Sequence, residues 1–125
     1  MPKKILLIED EKMLAEMYEE RLKREGFDVL RSVDGEGGFA IAKEEKPDLI
    51  ILDIILPDVN KDGTDILKQL KADKDIKDIP VILFSNYDTP EVRKIARDCN
   101  TNYILKTSAT TKDLVDAINR ELKNK

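Results

Sequence analysis

The stretch LIILDIIL at residues 49–56 limits the possible folds more than any other part of the sequence. It is apolar throughout except for Asp53, and it shows no alternation with polar residues. A β-strand of that composition is buried on both faces, and such strands occur almost only in parallel sheets that helices cover on both sides. The stretch therefore predicts a central strand of an α/β protein.

Strand-like and helix-like patterns alternate along the rest of the chain. In the first helix, for example, the apolar residues Leu14, Met17, Tyr18 and Leu22 have the spacing of one inward-facing side. The predicted strands are residues 4–8, 27–33, 49–56, 79–85 and 102–105, and the predicted helices are 12–24, 35–45, 64–72, one that begins at 89–91 and one that begins with a capping box of Thr110 and Asp113. This alternation predicts a flavodoxin-like, doubly wound (βα)5 fold, a three-layer sandwich whose parallel sheet has the strand order 2-1-3-4-5.

Length and composition predict one folded domain over residues 1–125, with no output domain attached. The chain is 41% hydrophobic and 38% charged, and it has no apolar run near the roughly 20 residues that cross a bilayer. Its first apolar run stops at Ile8, which is too short for a signal peptide. We therefore expect a cytoplasmic protein without a membrane partner. The net charge of −4 and the absence of a basic stripe argue against direct binding of nucleic acid.

The sequence contains no histidine and a single cysteine, Cys99. These counts exclude histidine metal ligands, histidine general bases, a phosphohistidine carried by this chain and an internal disulfide. Any chemistry must therefore depend on carboxylates, hydroxyls and lysine.

Such groups stand at the ends of four predicted strands. Glu9 and Asp10 follow the first strand, Asp53 lies in the third, Ser85 ends the fourth and Lys106 follows the fifth. Ligands bind beyond the carboxyl ends of the strands in a doubly wound sheet. We therefore expect these five side chains to converge there.

Three carboxylates without soft ligands favour a hard divalent cation such as Mg²⁺. An isolated ionised carboxylate at Asp53 would be costly without partners, and Lys106 is a suitable cation for it or for a bound anion. Other interpretations remain open at this point: Asp53 as a buried helix cap, Ser85 as an ordinary turn hydroxyl and Lys106 as a solvated surface lysine.

Five short motifs cover nearly the whole chain in order: ILLIEDE, LIILDIILP, DG at residues 62–63, IPVILFS and NYILK. Taken together, they resemble the receiver domain of two-component response regulators, the CheY-like family. The resemblance implies that Asp53 accepts a phosphoryl group from a sensor histidine kinase or a His phosphotransfer protein, as in a phosphorelay, with Mg²⁺ or Mn²⁺ as cofactor. It also implies a downstream protein target, and a monomer or a weak, phosphorylation-dependent dimer.

The resemblance also assigns roles to individual residues. Glu9 and Asp10 become the acidic pair, with Asp10 the more direct metal ligand beside Asp53, and the main-chain carbonyl of Ile55 completes the metal's protein ligands. Lys106 becomes the phosphate-contacting lysine.

Ser85 becomes the switch hydroxyl and Tyr103 the switch aromatic of a surface formed by helix 4, strand 5 and helix 5. The protein would catalyse its own phosphorylation and a slow autodephosphorylation, without being a turnover enzyme.

The chain departs from the family pattern in several places. Thr107 replaces the usual proline after the lysine, so we expect a trans peptide bond there and question the reach of Lys106. Asn86 replaces a very small residue, and Ile55 offers no polar group to orient an attacking water. Both predict slow loss of the phosphoryl group. The turn that contains Asn60, Lys61 and Asp62 is about two residues longer than usual.

Three other functions fit the sequence less well. A phosphorylation-independent, receiver-like scaffold would not need the matched acidic and basic positions. A flavodoxin-like cofactor binder would need a phosphate-binding loop after strand 1, where EDEKM would repel a phosphate. A phosphatase that works through an aspartyl-phosphate commonly uses a second acid two residues after the nucleophile, where this chain has Ile55.

Overall fold

The computed structural model describes residues 2–53, 63–86 and 90–123, over which five strands alternate with five helices. The elements are β1 (Lys4–Ile8), α1 (Lys12–Arg24), β2 (Asp28–Ser32), α2 (Gly35–Glu45), β3 (Leu49–Leu52), α3 (Gly63–Ala72), β4 (Val81–Ser85), α4 (Pro90–Asp98), β5 (Asn102–Leu105) and α5 (Thr111–Lys123).

The strands form one parallel sheet in the order β2-β1-β3-β4-β5. The predicted fold class and strand order are therefore confirmed. In the register, Ile5 lies beside Leu49, and Ile50 lies beside Val81. From β1 the chain continues to β2 on one side of the sheet, and from β3 it continues to β4 and β5 on the other side, so the strand order reverses between β1 and β3. In doubly wound sheets the crevice that binds ligands opens at such a point.

The core lies on both faces of the sheet. Along β1, Leu6 and Ile8 pack into the cluster that includes residues of α3 and α4, whereas Ile5 and Leu7 pack into the cluster that includes residues of α1 and α5. The residues of β3 alternate between the two clusters in the same way, and all are buried. This two-sided burial explains why β1 from Ile5 onward and all of β3 are apolar.

Some predicted boundaries differ from the observed ones. β2 ends before Val33, which is 63% exposed, and β4 begins at Val81 rather than at residue 79. Pro80 precedes β4 and has no N–H to donate to a neighbouring strand, although its carbonyl accepts a bond from Ile50. β3 is described as far as Leu52, and residues 54–56 of the predicted strand lie outside the described residues.

The inward face predicted for α1 is wrong at one position. Met17 is 46% exposed, and Ala15 is buried with Tyr18 and Leu22 instead. The 3.6-residue period admits both choices at the edge of an apolar stripe, and packing against the sheet decides between them.

The helix ends follow local chemistry. The predicted capping box of α5 is present: Thr110 N–H donates to the Asp113 carboxylate at 2.9 Å, and Asp113 N–H donates to the Thr110 hydroxyl at 3.1 Å. These two hydrogen bonds hold the pKa of Asp113 below its ordinary value. α1 is followed by Gly26 at φ +95°, a conformation that other residues adopt only with strain.

Within these described ranges, no helix combines the length and the apolar character that crossing a bilayer requires.

The positive φ of Gly26 yields a stability prediction. A Cβ at this position meets no atom within 4 Å, so Gly26→Ala strains the backbone alone. We expect it to lower the free energy of unfolding by about 1–2 kcal/mol, measured by urea denaturation. The matched control is Lys46→Gly, at a residue that has φ +46° despite its side chain. It should not lower stability, and a loss from the control equal to that from Gly26→Ala would contradict the strain argument.

Candidate functional site

The side chains that could bind a metal or take part in a reaction lie where β1, β3 and β5 end. Main-chain hydrogen bonds continue one residue past these strands: Asp53 N–H donates to the Ile8 carbonyl at 3.1 Å, and Lys106 N–H donates to the Ser85 carbonyl at 2.9 Å. Glu9 is held in the same way by the carbonyl of a β2 residue. The main-chain positions of these three residues are therefore fixed by hydrogen bonds of the sheet.

Three carboxylates meet at this edge. One oxygen from each of Glu9, Asp10 and Asp53 lies within 4.8 Å of the other two. Glu9 is 3% exposed and Asp53 is 7% exposed, whereas Asp10 is open to solvent. The structure thus brings Asp53 to a pair of adjacent acids that precede it by more than 40 positions in the sequence.

The ammonium group of Lys106 lies between the two buried acids. It donates hydrogen bonds to Glu9 Oε1 and, at 3.1 Å, to Asp53 Oδ2, and the lysine side chain is 8% exposed. The peptide bond between Lys106 and Thr107 is trans, as expected. Threonine in place of the usual proline therefore does not prevent the lysine from reaching Asp53.

The electrostatics of the site are unbalanced. Burial raises the pKa of Asp10, and the hydrogen bond and the negative charge of Glu9 raise it further. Burial on its own would lower the pKa of Lys106, but the carboxylates of Glu9 and Asp53 outweigh it and hold that pKa above its ordinary value. Three carboxylates and one ammonium give a formal net charge of −2, which a divalent cation matches.

The donor set fits a hard divalent ion, because all three side chains offer carboxylate oxygens. They open into a cavity of about 170 Å³, which has room for an ion with several water molecules. The residues around this cavity are Glu9, Asp10, Glu11, Leu14, Asp53, Asn86 and Lys106.

Two further predicted residues lie close to this edge in different surroundings. Ser85 is fully buried as the last residue of β4. Tyr103 is half-buried on β5, and the guanidinium carbon of Arg93 from α4 lies 5.5 Å from its ring centroid. Asn86, which follows Ser85, is exposed at the cavity.

The remaining predictions fall where the structure gives no description. Ile55, with its proposed carbonyl ligand, and the enlarged turn with Asn60, Lys61 and Asp62 lie outside the described residues.

Sequence reasoning missed an aromatic pair beneath the lysine. The ammonium nitrogen of Lys106 lies 5.7 Å from the ring centroid of Phe84, and the Tyr18 ring packs against Phe84 at a centroid distance of 5.1 Å and an angle of 72°. The only available signal was the position of Phe84, directly before Ser85 in an apolar strand, and that signal suggested no more than a core residue.

Comparisons with known proteins agree with this geometry. A model of the family "Response regulator receiver domain" matches residues 5–119. The chain is 43% identical over 74 residues to the alkaline phosphatase synthesis transcriptional regulatory protein PhoP of Bacillus subtilis. That alignment covers 59% of this chain and 30% of the relative, so the matched region spans less than a third of that protein's length.

Solved structures resemble the chain over almost its whole length. A CheY-like response regulator receiver domain protein from Methanospirillum hungatei has a TM-score of 0.91 at 25% identity, with 99% of this chain and 96% of that chain covered. The BeF3-activated N-terminal receiver domain of RstA from Klebsiella pneumoniae has a TM-score of 0.84 at 26% identity, with 95% and 97% covered. Fold, strand-end acids and the family match together show that the chain belongs to the response regulator receiver domain family.

Proposed function

We propose that this receiver domain accepts a phosphoryl group on Asp53 from the phosphohistidine of a sensor histidine kinase or a His phosphotransfer protein, in a reaction that depends on Mg²⁺ or Mn²⁺. The observation that carries the proposal is the placement of Asp53. Its carboxylate is buried, hydrogen-bonded to the Lys106 ammonium, grouped with two further carboxylates and open to a cavity of about 170 Å³.

In the proposed reaction, a carboxylate oxygen of Asp53 attacks phosphorus while the bond from phosphorus to the donor nitrogen breaks. A divalent ion held by Glu9, Asp10 and Asp53 would supply positive charge to the phosphoryl oxygens. Lys106 already lies 3.1 Å from Asp53 Oδ2 and can follow the negative charge onto the transferred group. The cavity beside Asn86 is the side from which the donor approaches.

The signal in this proposal is a change in the surface formed by α4, β5 and α5. The phosphoryl group adds roughly −1.5 to −2 charges and new acceptor oxygens. The Ser85 hydroxyl would donate to one of them, and Tyr103 would change its packing. The contact of Arg93 with the Tyr103 ring supports this route, because it joins α4 to β5 through the aromatic residue.

The proposal also includes a downstream protein target, a monomer or weak phosphorylation-dependent dimer and a cytoplasmic location, which stay predictions. So do the absence of turnover catalysis and of direct nucleic-acid binding. The alternative is a receiver-like scaffold that binds its partner without phosphorylation, and the first experiment below separates the two.

Exposure to acetyl phosphate with Mg²⁺ should add the mass of one phosphoryl group, detected by intact mass spectrometry. Asp53→Asn should abolish the addition because it removes the nucleophile, and chelation of Mg²⁺ should suppress it. The matched control is Asp48→Asn, at the opposite end of the same strand, where the carboxylate accepts a bond from Lys4 N–H. It should retain phosphorylation, and an unmodified wild-type protein would favour the scaffold.

Replacement of the lysine tests whether its ammonium competes with the metal. Lys106→Met leaves Glu9 and Asp53 without their cation, so the variant should bind Mg²⁺ about tenfold more tightly, measured by titration calorimetry. Lys112→Met removes the same charge from an exposed pair with Asp116 and should change the Mg²⁺ affinity by less than about twofold. Equal or weaker Mg²⁺ binding by Lys106→Met would show that the lysine does not limit metal binding.

The lifetime of the phosphoryl group tests the role of Asn86. This exposed side chain lies at the cavity. In the proposal, it limits the access of water to the acyl phosphate. Asn86→Ala should speed phosphate loss roughly threefold or more, which corresponds to under about 1 kcal/mol of barrier at the lower bound. Asn119→Ala, on the exposed face of α5, should leave the decay rate unchanged. A lifetime that Asn86→Ala leaves unaltered would refute the shielding role.

A further inference from the structure

The two acids alone do not fully determine the position of the Lys106 side chain. A lysine side chain has four rotatable carbon bonds, and its ammonium donates hydrogen bonds in many orientations. Here the side chain is 8% exposed and its ammonium serves two carboxylates from different strands. Two hydrogen bonds leave one ammonium N–H and the path of the methylene chain unspecified, so a further contact can limit the lysine's position.

The ring of Phe84 supplies that limit. It lies under the Lys106 ammonium with 5.7 Å between the nitrogen and the ring centroid, inside the roughly 6 Å at which a cation is attracted to an aromatic face. Phe84 is 2% exposed, so water does not screen this attraction. The ring also gives negative potential to a cation whose burial is otherwise unfavourable.

The orientation of the Phe84 ring is itself held from α1. Tyr18 is 7% exposed and meets Phe84 at 72°, the edge-to-face arrangement that aromatic pairs prefer. Both rings belong to the core cluster that α1 and α5 cover. A line of contacts therefore leads from the rigid core to the ammonium.

We propose that Phe84 is a positioning residue, whose ring face holds the Lys106 ammonium between Glu9 and Asp53 and thereby sets the rate at which Asp53 is phosphorylated. The kinetic part of this inference rests on the proposed function. The geometric part does not, because it concerns a contact within the domain before phosphorylation.

The proposal assigns the effect to the electrons of the ring rather than to its volume. A displacement of a catalytic group by about 1 Å can slow a reaction about a hundredfold. A weakened attraction that leaves the shape of the core intact should have a smaller and graded effect. Fluorine substitution makes this distinction, since it withdraws electron density from the ring face and changes the ring's size little.

The first experiment replaces Phe84 with 4-fluoro-, 3,4,5-trifluoro- and pentafluorophenylalanine. The rate of phosphorylation by acetyl phosphate with Mg²⁺ should fall stepwise along the series, by about three- to tenfold in total. The same series at Phe39, a half-buried ring that packs against the opposite core cluster, should leave the rate unchanged. Thermal unfolding of each protein identifies any general loss of structure.

The second experiment measures the contact directly by NMR. Protons above an aromatic ring resonate upfield, so the ε-methylene protons of Lys106 should be shifted upfield in the wild-type protein and should lose that shift in Phe84→Leu. Tyr18→Phe keeps the supporting ring and should leave both the shift and the rate in place.

The outcomes separate this inference from the proposed function. If the wild-type protein is not phosphorylated, the proposed function fails, and the NMR shift still decides whether Phe84 holds Lys106. If the wild-type protein is phosphorylated but fluorination changes the rates at Phe84 and Phe39 equally, the positioning role is wrong. An ε-methylene resonance that Phe84→Leu does not move overturns the contact itself.

Discussion

The ammonium of Lys106, shared between the buried carboxylates of Glu9 and Asp53, is the interaction on which the rest of the site depends. Transfer of such charges out of water costs several kcal/mol for each ion, and their mutual attraction recovers that cost only with good geometry. A cluster with three acids and one lysine is therefore a poor source of stability. In the proposed function, its value lies in a net negative charge that a bound divalent ion would offset.

The sheet makes this arrangement possible because each central strand packs the core along its length and places a charged group just past its end. Ile5–Ile8 of β1 and Leu49–Leu52 of β3 are buried and apolar on both faces, and the charged groups of the site come directly after them. Main-chain bonds that continue past β3 and β5 hold Asp53 and Lys106 in register with their neighbours. Burial of the hydrophobic core thus offsets the unfavourable free energy of burying charges that do not themselves stabilise the fold.

Much of this architecture was predictable from the sequence because it depends on local patterns. The bounds of β1, α1, α2 and β5 agree with the predicted ranges, and the alternation of elements predicts the strand order. The helical period did not decide between Met17 and Ala15, since both lie near the border of the apolar stripe. Such borders depend on the shape of the surface against which the helix packs.

The site was predictable only in part. The rule that functional groups gather at the carboxyl ends of parallel strands brought Glu9, Asp53 and Lys106 to one edge. That rule does not say which acid the lysine contacts, and no spacing links Lys106 to Glu9 across 97 positions. The contact with Phe84 was also hidden, because a phenylalanine in a buried strand has the same pattern whether it packs against leucine or beneath an ammonium.

The hydrogen bond from Lys106 N–H to the Ser85 carbonyl has a mechanical consequence. It ties the main chain of the lysine directly to the main chain of the serine, and Phe84 is the residue covalently joined to that serine. A displacement of the main chain at the end of β4 would thus move the main chain at the end of β5 directly, without passing through any side chain. The ends of these two neighbouring strands are therefore expected to move together.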